Sequence, residues 1–127
     1  MKKRLILIVS FVLLLACTSD NIIDNQIIGD WIWIQSSGGI TGKTETPEST
    51  QTTKKLSITK KTVKYFVNNT LESEIGYRLD LGESIRGENS KLIIYDSGNK
   101  QSYEIIENNL FIYDNCYDCF QHTYLKE

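Results

Sequence analysis

The sequence predicts an all-β protein, an eight-stranded antiparallel up-and-down barrel that follows a removable leader and a short tether. From Ile27 onward, apolar and polar residues alternate with a period of two, which is the spacing of half-buried strands. Short turns containing Asn or Gly separate these strands. No stretch of eleven or more residues has the apolar spacing of a helix. The predicted divisions are residues 1–16 as leader, 17–26 as tether and 27–127 as barrel.

The leader has the pattern of an export signal. Lys2, Lys3 and Arg4 precede an apolar run, Leu5–Leu15, in which only Ser10 is polar. A positive start followed by a short apolar segment is typical of a secretory signal peptide. A membrane-spanning helix takes about 20 apolar residues, so this run is too short to span comfortably. The sequence therefore predicts that residues 1–16 are removed on export.

The end of the leader, Leu14-Leu15-Ala16-Cys17, resembles the bacterial lipobox, although Leu15 is larger than the residue usual at its position. The resemblance implies that the Cys17 thiol receives a diacylglyceryl group, that the chain is cut before Cys17, and that the new amine is acylated. Several acyl chains hold a small domain firmly on a bilayer. The expected location is then the bacterial cell envelope, at the outer membrane, on either side of it. The alternative is a secreted protein cut near Ala16 with a free thiol.

Composition restricts the partners. Without residues 1–16 the chain has 111 residues, which suits one domain, and it carries 11 basic and 16 acidic side chains. Nucleic-acid binding needs a clustered basic face, and the chain without residues 1–16, whose net charge is −5, has no such cluster. We therefore expect a membrane partner through the lipid and no nucleic-acid partner.

The strands follow one another closely along the chain. The clearest is Leu71–Leu81, in which most odd-numbered residues are apolar and most even-numbered ones are polar. Eight antiparallel strands in a meander expose two edges unless the sheet closes on itself, so a barrel is expected. The predicted strands are Trp31–Ile34, Lys55–Thr59, Thr62–Val67, Leu71–Leu81, Lys91–Asp96, Gln101–Glu107, Leu110–Asp114 and Cys119–Lys126.

Most connections are predicted to be tight turns. Asn68-Asn69 and Asn108-Asn109 are two-residue hairpin candidates because Asn tolerates positive φ, and Ser97–Asn99 is a further turn. Ser36–Thr53 is different: its eighteen residues show no periodicity and include three glycines and the only proline. A connection of this length in a compact domain is usually functional or disordered. We expect a long loop there, suited to act as a lid.

Gly29-Asp30-Trp31, at the start of the first strand, resembles the Gly-x-Trp motif of the lipocalin (calycin-like) family, and the closer likeness is to the lipocalin-like domain of small bacterial lipoproteins. The stretches that carry it are "IIGDWIWIQSSGGITG", "TPEST", "NNTLESEIGYRL", "KLIIYDSG" and "CYDCFQHTYLK". The resemblance implies that Trp31 plugs one end of the barrel and that a basic residue of the last strand packs over it. Lys126 is the candidate, where the family usually has Arg.

The resemblance also implies a small apolar or amphipathic ligand inside the barrel. If the long face of the fourth strand points inward, the expected lining is Leu56, Ile58, Val63, Tyr65, Val67, Leu71, Ile75, Tyr77 and Leu79. The alternative is that these side chains fill the interior completely. The protein would then be a protein-interaction, scaffold or inhibitor module of the cell envelope.

Cys116 and Cys119 are the pair left after lipidation, and an even pair in an exported chain predicts a disulfide. Two alternatives are weaker. A redox Cys-x-x-Cys needs a helix after its first thiolate, and a metal site with His122 lacks a fourth ligand. His122, the only histidine, shares a face with Phe120 and Tyr124, and nothing in the sequence marks a nucleophile for it. We therefore expect no enzymatic activity, no cofactor and no metal.

Overall fold

The computed structural model describes residues 22–127. Our predictions for the signal peptide, for Cys17 and for residues 17–21 of the tether lie outside these described residues. A 3-10 turn, Asn25–Ile27, comes first, and a one-turn helix, α1, spans Pro47–Thr50. The strands are β1 (Gly29–Gly38), β2 (Lys43–Glu45), β3 (Lys54–Ile58), β4 (Thr62–Val67), β5 (Thr70–Ser84), β6 (Gly87–Tyr95), β7 (Lys100–Ile106), β8 (Asn109–Asp114) and β9 (Phe120–Lys126).

Strand β1 closes the sheet into a barrel. One edge of β1 pairs with β9 from Trp31 to Gly38, and the other edge pairs with β3 from Gly29 to Ile32. From β3 to β9 each strand pairs with the next in sequence, always antiparallel. Eight strands therefore form the closed up-and-down barrel that the alternating pattern predicted. The ninth strand, β2, is a short addition to the end of β1.

The long connection after β1 is more ordered than predicted. Ser36–Gly38 continue β1 and pair with β2, and a turn with positive φ at Gly39 and Gly42 joins the two strands. Thr46 then caps α1 through a reciprocal capping box with Ser49. The expected loop over 36–53 was thus wrong in part, because three-residue strands and a one-turn helix are too short to show a period.

The other turns agree with the sequence except for one shift. Asn68 and Asn69 both have positive φ, as their hairpin requires. The β7–β8 turn is formed by Glu107 and Asn108, and Asn109 already belongs to β8. Our placement at Asn108-Asn109 was therefore one residue too late.

No helix within residues 22–127 is long and apolar enough to cross a bilayer.

The barrel is solid at one end, which we call the floor. Ile27 is completely buried there, and its carbonyl accepts a hydrogen bond of 2.8 Å from Trp31 Nε1. The side chains of Ile58, Leu79 and Leu110 pack into the same apolar cluster. A buried indole with its N–H satisfied provides a large apolar contact without an unpaired polar atom. Burial of this cluster anchors the first strand.

Residues 22–26, the segment before β1, bind to the floor through hydrogen bonds and an ion pair. Ile22 N–H donates to the Leu79 carbonyl at 3.2 Å. The Asp24 carboxylate accepts from the Tyr103 hydroxyl at 2.9 Å and forms an ion pair with Lys91 Nζ at 3.2 Å. Residues 22–26, which the sequence assigned to the tether, therefore pack on the barrel.

The folded structure stabilises the negative charge of the Asp24 carboxylate. Burial opposes ionisation, but hydrogen bonds from Tyr103, from Lys91 and from the Gln26 N–H outweigh it and lower the pKa of Asp24. A carboxyl whose pKa is lower in the folded state adds stability above its unfolded pKa of about 4. That contribution is lost as the pH falls through the folded-state pKa.

We expect Asp24→Asn to lower the free energy of unfolding at pH 7 by about 1–2 kcal/mol, because a neutral amide bonds Tyr103 and Lys91 less strongly. The difference between the variant and the unaltered protein should narrow as the pH falls below about 4. Urea denaturation over this pH range measures it, with Asp118→Asn on an exposed turn as the control. A difference that is constant with pH would contradict this role of the carboxylate.

Candidate functional site

The end of the barrel opposite the floor is hollow. It holds a cavity of about 310 Å³, at the small end of the range of ligand pockets. All eight barrel strands contribute to its walls, which are Trp33, Lys54, Leu56, Val63, Tyr65, Ser73, Ile75, Tyr95, Gln101, Ile112, His122 and Tyr124. Within the described chain, no residue of the connection 39–53 is part of this lining.

The predicted lining residues are divided between the cavity and other places. Leu56, Val63, Tyr65 and Ile75 line the cavity. Ile58 and Leu79 are buried in the solid core below it, and Tyr77 packs against that core with its hydroxyl donating to the Thr59 carbonyl. Val67 is half-buried beyond the lining, at the end of β4. The inward face of the fourth strand thus contributes both to the cavity and to the floor.

Leu71 was wrongly placed in the lining. It is 49% exposed and lies opposite Phe66, whereas Ser73 lies opposite Tyr65. The pairing therefore skips Glu72, which forms a bulge in β5. Because successive side chains alternate, an extra residue moves everything before it to the other face. Leu71 consequently points away from the cavity.

Eight lining residues were not predicted, and most were within reach of the same reasoning. Tyr95, Gln101, Ile112 and Tyr124 lie on inward faces of the last four strands. The alternation that predicted lining residues in the second to fourth predicted strands would also have found these residues if it had been applied to the last four strands. Trp33 continues the alternation of Trp31, and Lys54 continues that of Leu56 and Ile58. The alternating pattern does not show where a bulge moves the neighbouring side chains to the other face of the strand.

A bulge in β1 turns Ser36 into the barrel. Trp33 pairs with Tyr124 and Gln35 pairs with Thr123, which leaves Ile34 as the extra residue. Ser36 therefore shares the face of Trp33. Ser36 is only 3% exposed, and its hydroxyl accepts a hydrogen bond of 2.8 Å from Trp33 Nε1.

A chain of hydrogen bonds leads from Ser36 across the barrel wall. Ser36 Oγ lies 2.7 Å from His122 Nδ1, and His122 Nε2 lies 3.2 Å from the Asp114 carboxylate. Gln101 Nε2 donates to Asp114 at 2.8 Å, and the Tyr95 hydroxyl donates to Gln101 Oε1 at 2.6 Å. Each of these hydrogen bonds has one donor and one acceptor when the histidine proton is assigned to Nε2. The network then holds these side chains in one arrangement.

Asp114 is the negative centre of the network. Its burial alone would raise its pKa, but hydrogen bonds from His122 and Gln101 outweigh this and lower the pKa of Asp114. Burial raises the pKa of Tyr95, and the charge of Asp114 adds to the effect. At neutral pH the carboxyl is therefore ionised and the tyrosine keeps its proton.

Ser36, His122 and Asp114 have the residue types of a nucleophilic relay, which sequence reasoning did not detect. Their surroundings suit a structural role better. The Ser36 hydroxyl is buried, already accepts from Trp33, and does not belong to the cavity lining. A nucleophile needs room for the reacting atom beside it. What this arrangement does is fix the orientations of His122 and Trp33 in the cavity wall.

The structure places the expected plug residues together at the floor. Trp31 is buried, and Lys126 Nζ lies 5.3 Å from the centroid of its ring, within the range of a cation–π contact. Gly29 has φ +140°, and a Cβ there would lie 3.4 Å from Lys126 Cε. That contact is an ordinary one, so it is the backbone conformation at this position, rarely adopted by other residues, that calls for glycine.

Cys116 and Cys119 are joined in a disulfide, as the sequence predicted, with their Cα atoms 5.3 Å apart. The bond consumes both thiols that the metal alternative with His122 required. The next element is strand β9, whereas a redox pair needs a helix. Within residues 22–127, no three His, Cys, Asp or Glu side chains are grouped to hold a metal ion.

The class of protein is defined here by the fold and its hollow end: a closed eight-stranded antiparallel barrel, consistent with a lipocalin-like fold. Comparisons of the chain with family models, with curated proteins and with solved structures found no match. Function must therefore be argued from the cavity and its chemistry.

We expect Ser36→Ala to lower the free energy of unfolding by about 1–3 kcal/mol, because it leaves the buried Trp33 N–H without an acceptor. Ser37→Ala, at the next position and on the other face, is the matched control and should change it by less than about 0.5 kcal/mol. Urea denaturation followed by tryptophan fluorescence measures both. Equal effects of the two substitutions would show that the Ser36 hydroxyl does not support the network.

Proposed function

We propose that this protein is a lipid-anchored binding protein of the bacterial cell envelope, whose barrel holds one small amphipathic ligand. The cavity is the observation that carries the proposal. A barrel of eight strands is just wide enough to be filled by side chains or to hold one small molecule. Here the interior is filled at the floor and hollow above Trp33.

The chemistry of the walls suits a ligand with two kinds of surface. Leu56, Val63, Ile75 and Ile112 form an apolar part of the lining. Tyrosine, lysine, glutamine and histidine side chains provide polar atoms in the same cavity. Small-molecule sites are typically apolar with a few placed polar groups that fix orientation. An amphipathic molecule satisfies both parts.

The cavity walls are held in place before any ligand arrives. Trp33 and His122 are both fixed by Ser36, and Gln101 is fixed by Asp114 and Tyr95. Binding to a preformed site costs less ordering of side chains than binding to a mobile one. The hydrogen-bond network therefore supports binding even though it performs no chemistry in this proposal.

The lipid anchor at Cys17 would hold the barrel by its floor. The described chain begins at Ile22, which bonds to Leu79 on the floor side. Ile22 is five residue-to-residue steps after Cys17, and five extended steps reach at most about 17 Å. The floor would then lie near the bilayer surface and the cavity mouth would face away from it. A ligand would enter from the aqueous side.

A second candidate function is contact with an envelope protein through the outer wall. Ile32 and Leu125 are paired across β1 and β9 on the outer face, and Ile34 lies two residues further along. All three are more than a third exposed. Enrichment of one envelope protein by crosslinking that Ile32→Lys abolishes, in a protein without ligand affinity, would favour this candidate over the first.

Ligand binding is tested by a substitution that fills the cavity with a larger side chain. The chain expressed without residues 1–16 and carrying Cys17→Ser contains the complete barrel of residues 22–127. We expect it to bind the neutral fluorescent probe N-phenyl-1-naphthylamine with a rise in emission. Ser73→Trp, which puts a large ring into the lining, should weaken binding by about tenfold or more, since overfilling a cavity costs about 1–3 kcal/mol.

The control is Glu74→Trp, the adjacent position on the outer face of β5, which should bind the probe as the unaltered protein does. Both variants should keep the far-ultraviolet circular dichroism of the barrel. If the unaltered protein gives no rise in emission, or if both variants weaken binding equally, the cavity is not the binding site.

Lipid anchoring is tested in cells. We expect the unaltered protein to fractionate with membranes and Cys17→Ser to appear in the soluble fraction, because the substitution removes the thiol that accepts the diacylglyceryl group. Cys119→Ser is the control for loss of a different cysteine and should remain with the membranes. A Cys17→Ser protein that stays with the membranes contradicts the anchor.

A further inference from the structure

The cavity contains donors that the protein leaves without acceptors. Three other tyrosine hydroxyls of the barrel have protein partners: Tyr77 donates to Thr59, Tyr103 donates to Asp24, and Tyr95, which also lines the cavity, donates to Gln101. Tyr65 and Tyr124 both line the cavity, and their hydroxyls make no hydrogen bond with any residue from 22 to 127. Among the described residues, two of the three tyrosines that line the cavity therefore have an unpaired hydroxyl.

Tyr124 is the more buried of the two residues. It is only 6% exposed and lines the cavity, so a ligand in the cavity can supply the acceptor that its hydroxyl lacks within residues 22–127. Burial raises the pKa of Tyr124, and Tyr65, Tyr95 and the charge of Asp114 add to the shift. Burial likewise raises the pKa of Tyr65, with the exposed Glu72 adding to the shift. Both hydroxyls therefore keep their protons and remain donors.

Lys54 adds a positive charge to the same cavity. Its ammonium lies 4.3 Å from the centroid of the Trp33 ring and forms no ion pair with any carboxylate in the described part of the chain. The carboxylate of the network, Asp114, is partly exposed and is already bonded to His122 and Gln101. A cation held on an aromatic face can still accept an anion on its open side.

We propose that the ligand is a small organic acid, with its carboxylate among Lys54, Tyr65 and Tyr124 and its apolar part against Leu56 and Ile75. This inference rests on the proposed binding function and names its ligand class. A carboxylate offers several acceptor sites and a negative charge, which is what two hydroxyl donors and an ammonium require. An organic cation is disfavoured because Lys54 already occupies the Trp33 face.

Three compounds with the same tail separate these possibilities: octanoate, octanol and octyltrimethylammonium. Each is used to displace N-phenyl-1-naphthylamine from the Cys17→Ser protein without residues 1–16. The shared tail keeps the apolar contribution constant, so differences report the head group. We expect octanoate to bind about tenfold or more tighter than octanol, as a charge-assisted hydrogen bond provides, and octyltrimethylammonium to bind most weakly.

Substitutions then show which residues cause the preference for octanoate over octanol. Lys54→Met keeps the aliphatic stem and should remove the advantage of octanoate while leaving octanol affinity unchanged. Lys64→Met, one residue before Tyr65 and on the outer face of β4, is the matched control and should keep the advantage. Tyr124→Phe should weaken octanoate binding severalfold more than octanol binding. Should Lys54→Met fail to fold, Lys54→Gln replaces it.

The outcomes distinguish this inference from the proposed function. Octanol binding as tightly as octanoate to the unaltered protein overturns the acid class and leaves the binding function standing. A preference for octanoate that survives both Lys54→Met and Tyr124→Phe overturns the assignment to these residues. Absence of binding by the probe and by all three compounds overturns the binding function, and this inference with it.

Discussion

The pairing of β1 with β9 is the constraint on which the structure depends. It joins strands from the two ends of the described chain and closes the barrel, and the Ser36–His122 hydrogen bond crosses 86 residues of sequence within it. Closure places Trp31 beside Lys126 and Trp33 beside Tyr124. Both the floor and the hollow end are therefore built on one strand pair. Such a contact forms only after a large loss of chain entropy, so it depends on the burial that accompanies it.

One irregularity in that pairing separates the two ends of the barrel. Before the bulge at Ile34, β1 contributes indole rings to the interior. After it, Ser36 faces inward and connects Trp33 to His122 and Asp114. A regular strand would have put Gln35 there. The floor is consequently apolar and tightly packed, whereas the other end is lined by oriented polar groups around a space. The cavity proposed to bind a ligand and the packed floor thus lie at different ends of one barrel.

The sequence predicted the regular features well because these are local. The eight barrel strands, the Asn68-Asn69 turn and the disulfide all follow from side-chain alternation, backbone tolerance of positive φ and cysteine pairing. The errors fall where a single residue or a very short element decides the outcome. The bulge at Glu72 turned Leu71 outward, and short β2 and α1 ordered a connection that showed no period. Neither kind of feature leaves a pattern long enough to recognise.

The sequence by itself determined that this chain is an antiparallel barrel whose strands each bury one face, because a period of two is a property of neighbouring residues. Only the tertiary structure decided that the barrel is hollow at one end, and that Lys54 and Tyr124 meet the predicted Tyr65 around that space. An internal volume is the small difference between the width of the closed barrel and the size of side chains that meet from distant strands. Register and bulges set which side chains meet, and both depend on pairing between residues far apart in the chain.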